Sequence, residues 1–170
     1  MVNVSMTGGS VIVTPAPPGS LYPSAMRDVA GKRRRRRSPS ARARQAVPLV
    51  LVVDDVADQR DIYSQYLRFL GYRVETAVNG FDALAKVRAL DPDLVVMDLS
   101  MPLMDGFEAT RALKADPATR DIPIIALTAY SLHLPEEWAL SAGCAAYLRK
   151  PCLPADLEST IRKALSGSPS

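Results

Sequence analysis

The sequence predicts an α/β fold, a five-stranded parallel sheet doubly wound by five helices, behind a disordered N-terminal extension. Three observations carry that expectation. Two short apolar runs end in acid, Pro48-Leu-Val-Leu-Val-Val-Asp54-Asp55 and Leu94-Val-Val-Met-Asp98, as buried parallel strands do when polar groups emerge at their carboxyl ends. Strand-like and helix-like segments alternate from Leu49 onward. Charge and composition also change abruptly near residue 47, dividing the 170 residues into an extension, 1–47, and one domain, 48–170.

The extension cannot hold a core. Tyr22 is its only aromatic, five of the 14 prolines fall in it, and it shows no apolar periodicity, so burial would not offset its chain entropy. Nine basic residues (Arg27, Lys32, Arg33, Arg34, Arg35, Arg36, Arg37, Arg42 and Arg44) stand against Asp28 alone, a net of +8. Residues 48–170 hold the other 12 basic and 17 acidic residues, a net of −5. The basic balance of the whole chain thus describes the extension and not the domain. No apolar stretch follows the arginines and no run approaches membrane-spanning length, so no secretory or twin-arginine signal and no membrane anchor is expected. The expected compartment is the cytoplasm, with Cys144 and Cys152 as reduced thiols used for packing. Met6 and Met26 offer later starts, and both retain the arginine run.

Within the domain, strands are read at 49–53, 73–77, 94–97, 123–127 and 145–149. Helical patterns near 58–70, 80–90, 106–115, 135–142 and 154–166 lie between and after them. The first and third strands are the acid-terminated apolar runs; the fifth is Ala145-Ala-Tyr-Leu-Arg, ahead of Lys150-Pro151. In the first helix Ile62, Tyr66 and Leu70 recur at fours, and Leu153, Leu157, Ile161 and Leu165 do so around the last; both sets are read as core-facing stripes. Gly71 suits the end of the first helix and Pro154 the first turn of the last.

Open α/β sheets place their sites at the carboxyl edge, where this arrangement brings Asp54, Asp55, Asp98 and Lys150 together. Each acid alone would read as a solvated strand end. Clustered, they would repel one another without a cation, and three carboxylates with one lysine suit a hard divalent ion that takes oxygen ligands, the lysine lying over an anion. Mg²⁺ and a phosphoryl group are the expected ligands. Other phosphate and nucleophile chemistries lack their parts. There is no Gly-x-x-x-x-Gly-Lys-Ser/Thr loop, no Gly-x-Gly-x-x-Gly after the first strand and no Gly-x-Ser-x-Gly elbow. The only histidine, His133, has no nucleophile placed for it by any motif and is read as a loop or surface residue.

Taken in order, Asp54-Asp55, Met97-Asp98-Leu-Ser-Met-Pro-Leu-Met-Asp-Gly106, Ala126-Leu-Thr128-Ala129 and Tyr147-Leu-Arg-Lys150-Pro151 resemble the receiver domain of two-component response regulators, of the chemotaxis type. The likeness spans essentially all of 48–170 and implies the flavodoxin-like version of the fold. It implies Asp98 as phosphoacceptor, with Asp55, Asp98 and the Ser100 backbone carbonyl as Mg²⁺ ligands and Asp54 helping to place the metal. By the same resemblance Thr128 and Lys150 contact the phosphoryl oxygens, and Thr128 with Tyr147 forms a two-state switch that reshapes the 128–150 face. The Lys-Pro motif implies a cis bond at Pro151. Residues two places after the phosphoacceptor and the threonine, here Ser100 and Tyr130, tune the lifetime of the acyl phosphate. Neither carries a carboxylate or carboxamide to orient a water, so slow self-hydrolysis is expected.

Only 20 residues follow Lys150, too few for a DNA-binding or catalytic output domain. The resulting expectation is a single-domain response regulator and not a metabolic enzyme. It would take its phosphoryl group from a sensor histidine kinase or histidine phosphotransfer protein and signal by binding other proteins. An alternative output is binding of nucleic acid or an acidic partner through Lys32 to Arg44. No aromatic is interleaved there, so base reading is not expected.

Overall fold

The computed structural model describes residues 3–7, 10–14, 47–129 and 136–167, with side chains at 47–129 and 139–167. The chain divides into two units, Met1–Arg44 and Gln45–Ser170. In the larger unit five strands alternate with five helices: β1 (Leu49–Val53), α1 (Ala57–Phe69), β2 (Arg73–Ala77), α2 (Gly80–Leu90), β3 (Leu94–Met97), α3 (Gly106–Ala115), β4 (Ile124–Thr128), α4 (Glu136–Ser141), β5 (Ala146–Arg149) and α5 (Pro154–Ser166). All strand pairs are parallel and the order across the sheet is β2-β1-β3-β4-β5. The order reverses between β1 and β3, so a crevice opens there at the carboxyl edge.

Side chains alternate across the sheet, and each face has its own core. Val50, Val52, Val96, Ile125 and Leu127 point to one side, where α1 contributes Tyr63 and Leu67 and α5 contributes Leu157 and Ile161. Leu51, Val53, Val95, Met97 and Ala126 point to the other, against Leu84 and Val87 of α2 and Leu113 of α3. That is why β1 and β3 are apolar at every position and β4 at every position before its closing Thr128: both faces are covered. The helices start where the sequence supplies caps. Asn79 accepts the Asp82 N–H and Asp105 accepts the Glu108 N–H, at 2.9 and 2.7 Å, and Pro154 opens α5. Gly71, at φ 92°, turns the chain out of α1.

Several readings need correction. The α1 stripe at Ile62, Tyr66 and Leu70 is not the core face: Ile62 is 57% and Leu70 43% exposed, and Tyr63, Ser64 and Leu67 are buried instead. The helix carries apolar residues over a wide arc, and the sheet takes the edge centred on Leu67. In the last stripe Leu157 and Ile161 are buried, but Leu153 precedes the helix and is 68% exposed. β4 begins at Ile124 and not Pro123, whose carbonyl accepts the Val95 N–H at 3.0 Å but which has no N–H of its own for the ladder. β5 begins one residue later than read, at Ala146.

The smaller unit holds two strands, Asn3–Thr7 and Ser10–Thr14, paired antiparallel in a stretch for which the sequence reading assigned no element. Val4 stands opposite Val13 and Met6 opposite Val11, and Gly8-Gly9, between the strands in sequence, is a pair that two-residue hairpin connections favour. An isolated two-stranded pair is marginal in water. The arginine run and Tyr22 lie outside the described residues. Among the described residues no helix is long and apolar enough to cross a membrane.

Candidate functional site at the carboxyl edge of the sheet

Each site residue is fixed by the strand it ends. The Asp54 N–H donates to the Ala77 carbonyl at 3.1 Å and the Asp98 N–H to the Val53 carbonyl at 2.9 Å, so both acids continue the ladder one residue beyond their strands. Their carboxylates then turn into the crevice. Asp54 Oδ1 accepts the Val56 N–H and Asp98 Oδ1 the Ser100 N–H, both at 2.9 Å, which leaves each Oδ2 free to meet the lysine. Lys150 Nζ lies 2.6 Å from Asp54 Oδ2 and 2.6 Å from Asp98 Oδ2. Its own N–H donates to the Thr128 carbonyl at 2.9 Å, which ties it to the end of β4. The three side chains are at most 7% exposed. The Lys150–Pro151 peptide is cis.

Close packing behind Asp98 depends on a glycine. A Cβ at Gly106 would collide with the Asp98 carbonyl oxygen and lie 2.8 Å from Leu99 Cα, so only glycine lets α3 start against the end of β3. Its N–H donates to the Leu99 carbonyl at 3.2 Å.

Burial shapes the charges. It pushes the Asp54 carboxyl above its usual range, against the hydrogen bond and charge of Lys150. Burial also opposes the Lys150 ammonium, but its bonds to Asp54 and Asp98 and their negative charge outweigh that and raise its pKa. One ammonium cannot balance three carboxylates, however. Asp54, Asp55 and Asp98 offer oxygens that all lie within 4.8 Å of one another, Asp55 being the exposed member. An all-oxygen, carboxylate-rich cluster with one side open to solvent fits a hard divalent cation such as Mg²⁺.

The other candidates fall around this cluster. Thr128 is fully buried at the end of β4. Tyr147 stands beside Ala126 in the β4–β5 register and packs, half-buried, on the α2–α3 side of the core. Ser100 adjoins Asp98 through its N–H. Tyr130 and His133 lie outside the described residues. Cys144 is buried and Cys152 half-buried, both as free thiols. Two features had no sequence signal: the Tyr63 hydroxyl donates to the Cys152 carbonyl at 3.3 Å, and Arg60 Nη1 donates to the Asp54 carbonyl at 2.8 Å.

Fold and site together define a class, doubly wound α/β domains with an acidic cluster and a buried lysine at the switch point of the sheet. Residues 50–162 match the family model of the response regulator receiver domain, and the chain belongs to that family. It is 36% identical over 102 residues to the polar-differentiation response regulator DivK of Brucella anthropi, covering 60% of this chain and 83% of that protein. It is 40% identical over 116 residues to the probable transcriptional regulator ycf27 of Pyropia yezoensis; these are 68% of this chain, which spans only 46% of that relative. Among solved structures, the receiver domain of sensor histidine kinase PA1611 from Pseudomonas aeruginosa matches with TM-score 0.66 and 35% identity over 71% of this chain and 99% of that one. That structure holds a magnesium ion coordinated in its active site cleft. Receiver domains are signalling modules of two-component systems and not metabolic enzymes; a phosphoryl-accepting aspartate and an acidic Mg²⁺ pocket are typical of them. Response regulators interact with histidine kinases or phosphotransfer proteins and with downstream targets.

Proposed function

We propose that this chain is a phosphorylation-driven protein-binding switch of the cytoplasm. It would accept a phosphoryl group on Asp98 from a phosphohistidine of a sensor kinase or phosphotransfer protein. The observation that carries this reading is the convergence of Lys150 Nζ, 2.6 Å from both Asp54 and Asp98, with a third carboxylate, Asp55, beside them. Phosphoryl transfer spreads charge over three equatorial oxygens, so such a site has mainly to position and neutralise. Asp98 is held by its N–H and by the Ser100 N–H, with one carboxylate oxygen on a lysine. It attacks phosphorus as the P–N bond breaks, and the imidazole leaves with the bonding pair, giving an acyl phosphate on Asp98. Lys150 and Thr128 take phosphoryl oxygens. Mg²⁺, held by Asp55, Asp98 and the Ser100 carbonyl with Asp54 close by, supplies further charge neutralisation when bound.

Once Asp98 is modified, a shift of Thr128 toward the phosphoryl group biases Tyr147 inward, and the 128–150 face changes shape for a downstream protein. The test is intact mass after incubation with acetyl phosphate and Mg²⁺. The parent gains one phosphoryl group, Asp98→Asn gains none, and Asp55→Ala requires more Mg²⁺. Label that persists in Asp98→Asn sinks the assignment.

The acyl phosphate should also be long-lived, because Ser100 and Tyr130 offer no acid or amide to orient water. After removal of the donor, Ser100→Asn and Tyr130→Glu should each decay faster than the parent. Loss within seconds in the parent would defeat this reading.

A further inference from the structure

The loop that carries Asp54 and Asp55 is fastened from behind by Arg60, a residue the proposed chemistry does not use. Arg60 lies near the start of α1, partly buried, and its Nη1 donates to the Asp54 carbonyl oxygen at 2.8 Å. That oxygen belongs to the planar peptide joining Asp54 to Asp55, so the guanidinium fixes the plane from which the Asp55 residue departs. Among the described residues, the other bonds of the loop hold Asp54 and not its neighbour. The Asp54 N–H is on Ala77, one carboxylate oxygen is on the Val56 N–H, and the other is on Lys150. Asp55 is exposed, so packing does not set its direction. The backbone N–H of Arg60 donates to the Val56 carbonyl at 3.0 Å, the ordinary first-turn bond of α1, so the helix carries the guanidinium at the foot of the acidic loop.

We infer that Arg60 is a positioning residue for the cation site, clamping the Asp54–Asp55 peptide so that the Asp55 carboxylate is presented to the metal. The inference rests on the proposed reading that the three acids hold Mg²⁺. Arg60 acts on that ion in two ways of opposite sign, which makes the clamp separable from the charge. As a positive charge beside the acids it opposes a cation, so by electrostatics alone its removal tightens Mg²⁺ binding. As a clamp it preorganises a ligand, and its removal weakens binding on the order of tenfold, the low end for residues that orient metal ligands from behind.

The experiment titrates Mg²⁺ alone into the full-length parent, Arg60→Met and Arg60→Lys, followed by the backbone amide resonances of residues 54–56, with thermal melts recorded without Mg²⁺. Methionine keeps an unbranched stem without donors or charge. Lysine keeps the charge and a point donor but not the planar fork. Arg60→Met should need on the order of tenfold more Mg²⁺ for half-saturation, with Arg60→Lys between it and the parent. A Met variant that binds as tightly as the parent, or more tightly, overturns the clamp, whatever its melting temperature. A parent with no response to Mg²⁺ overturns the metal reading itself, and the clamp with it.

Discussion

Lys150 holds together a cluster that would otherwise be two buried carboxylates facing each other across the crevice. Its Nζ is 2.6 Å from both, and removing one partner of a buried ion pair leaves charge that nothing compensates. Lys150→Met should therefore lower the unfolding free energy by about 3 kcal/mol in the absence of divalent ions, measured by urea denaturation. Excess Mg²⁺ should restore more stability to the variant than it adds to the parent, because a second cation takes over the neutralisation. Equal stability of the two proteins without Mg²⁺ would refute this role of Lys150. At this scale the sequence was informative where residue type limits chemistry. Acids that end apolar strands and a lysine before Pro151 had few other uses, and they were legible as a set. Arg60 was not, because an arginine near the start of an amphipathic helix reads as solvated until its bond to the Asp54 carbonyl is seen.

The elements were legible in proportion to how completely they are buried. β1 and β3 are covered on both faces and reduce to unbroken apolar runs, so their limits could be read directly. α1 covers one face only, and its phase was misread. Ile62, Tyr63, Tyr66, Leu67 and Leu70 form one broad apolar arc, and recurrence at fours picks out either edge of it. The sheet selects the Tyr63–Leu67 edge, with Ser64 buried beside it although its residue type gives no such signal. Two substitutions on one helix test this phase. Leu67→Ala, at a fully buried position, should cost about 3 kcal/mol through lost transfer energy and the cavity left behind. Ile62→Ala, at 57% exposure, should change stability by no more than about 0.5 kcal/mol. Chemical denaturation of both variants decides it: comparable losses would place both edges of the arc in the core and contradict the assigned phase.

Across the whole molecule, the charge is divided in a way that the domain alone does not use. The extension carries +8 and residues 48–170 carry −5, so the domain by itself is repelled by polyanions while the Lys32 to Arg44 segment attracts them. Without interleaved aromatics that segment has no platform for stacking bases; what it offers duplex nucleic acid is phosphate neutralisation and release of counterions. The expected behaviour is binding that is weak, indifferent to sequence and steeply dependent on salt. With nine basic residues in the extension, the slope of log K against log salt can reach at most about −8, and fewer contacts give a shallower one. Titrating the full chain and a shortened chain, 48–170, against unrelated duplexes over a salt series measures this directly. The full chain should bind all duplexes alike and lose affinity steeply as salt rises, while 48–170 shows no measurable binding. Equal affinity of the two chains would assign the extension no such role. A strong preference for one duplex would mean that the arginines of Lys32 to Arg44 read base edges and would overturn the sequence-indifferent account.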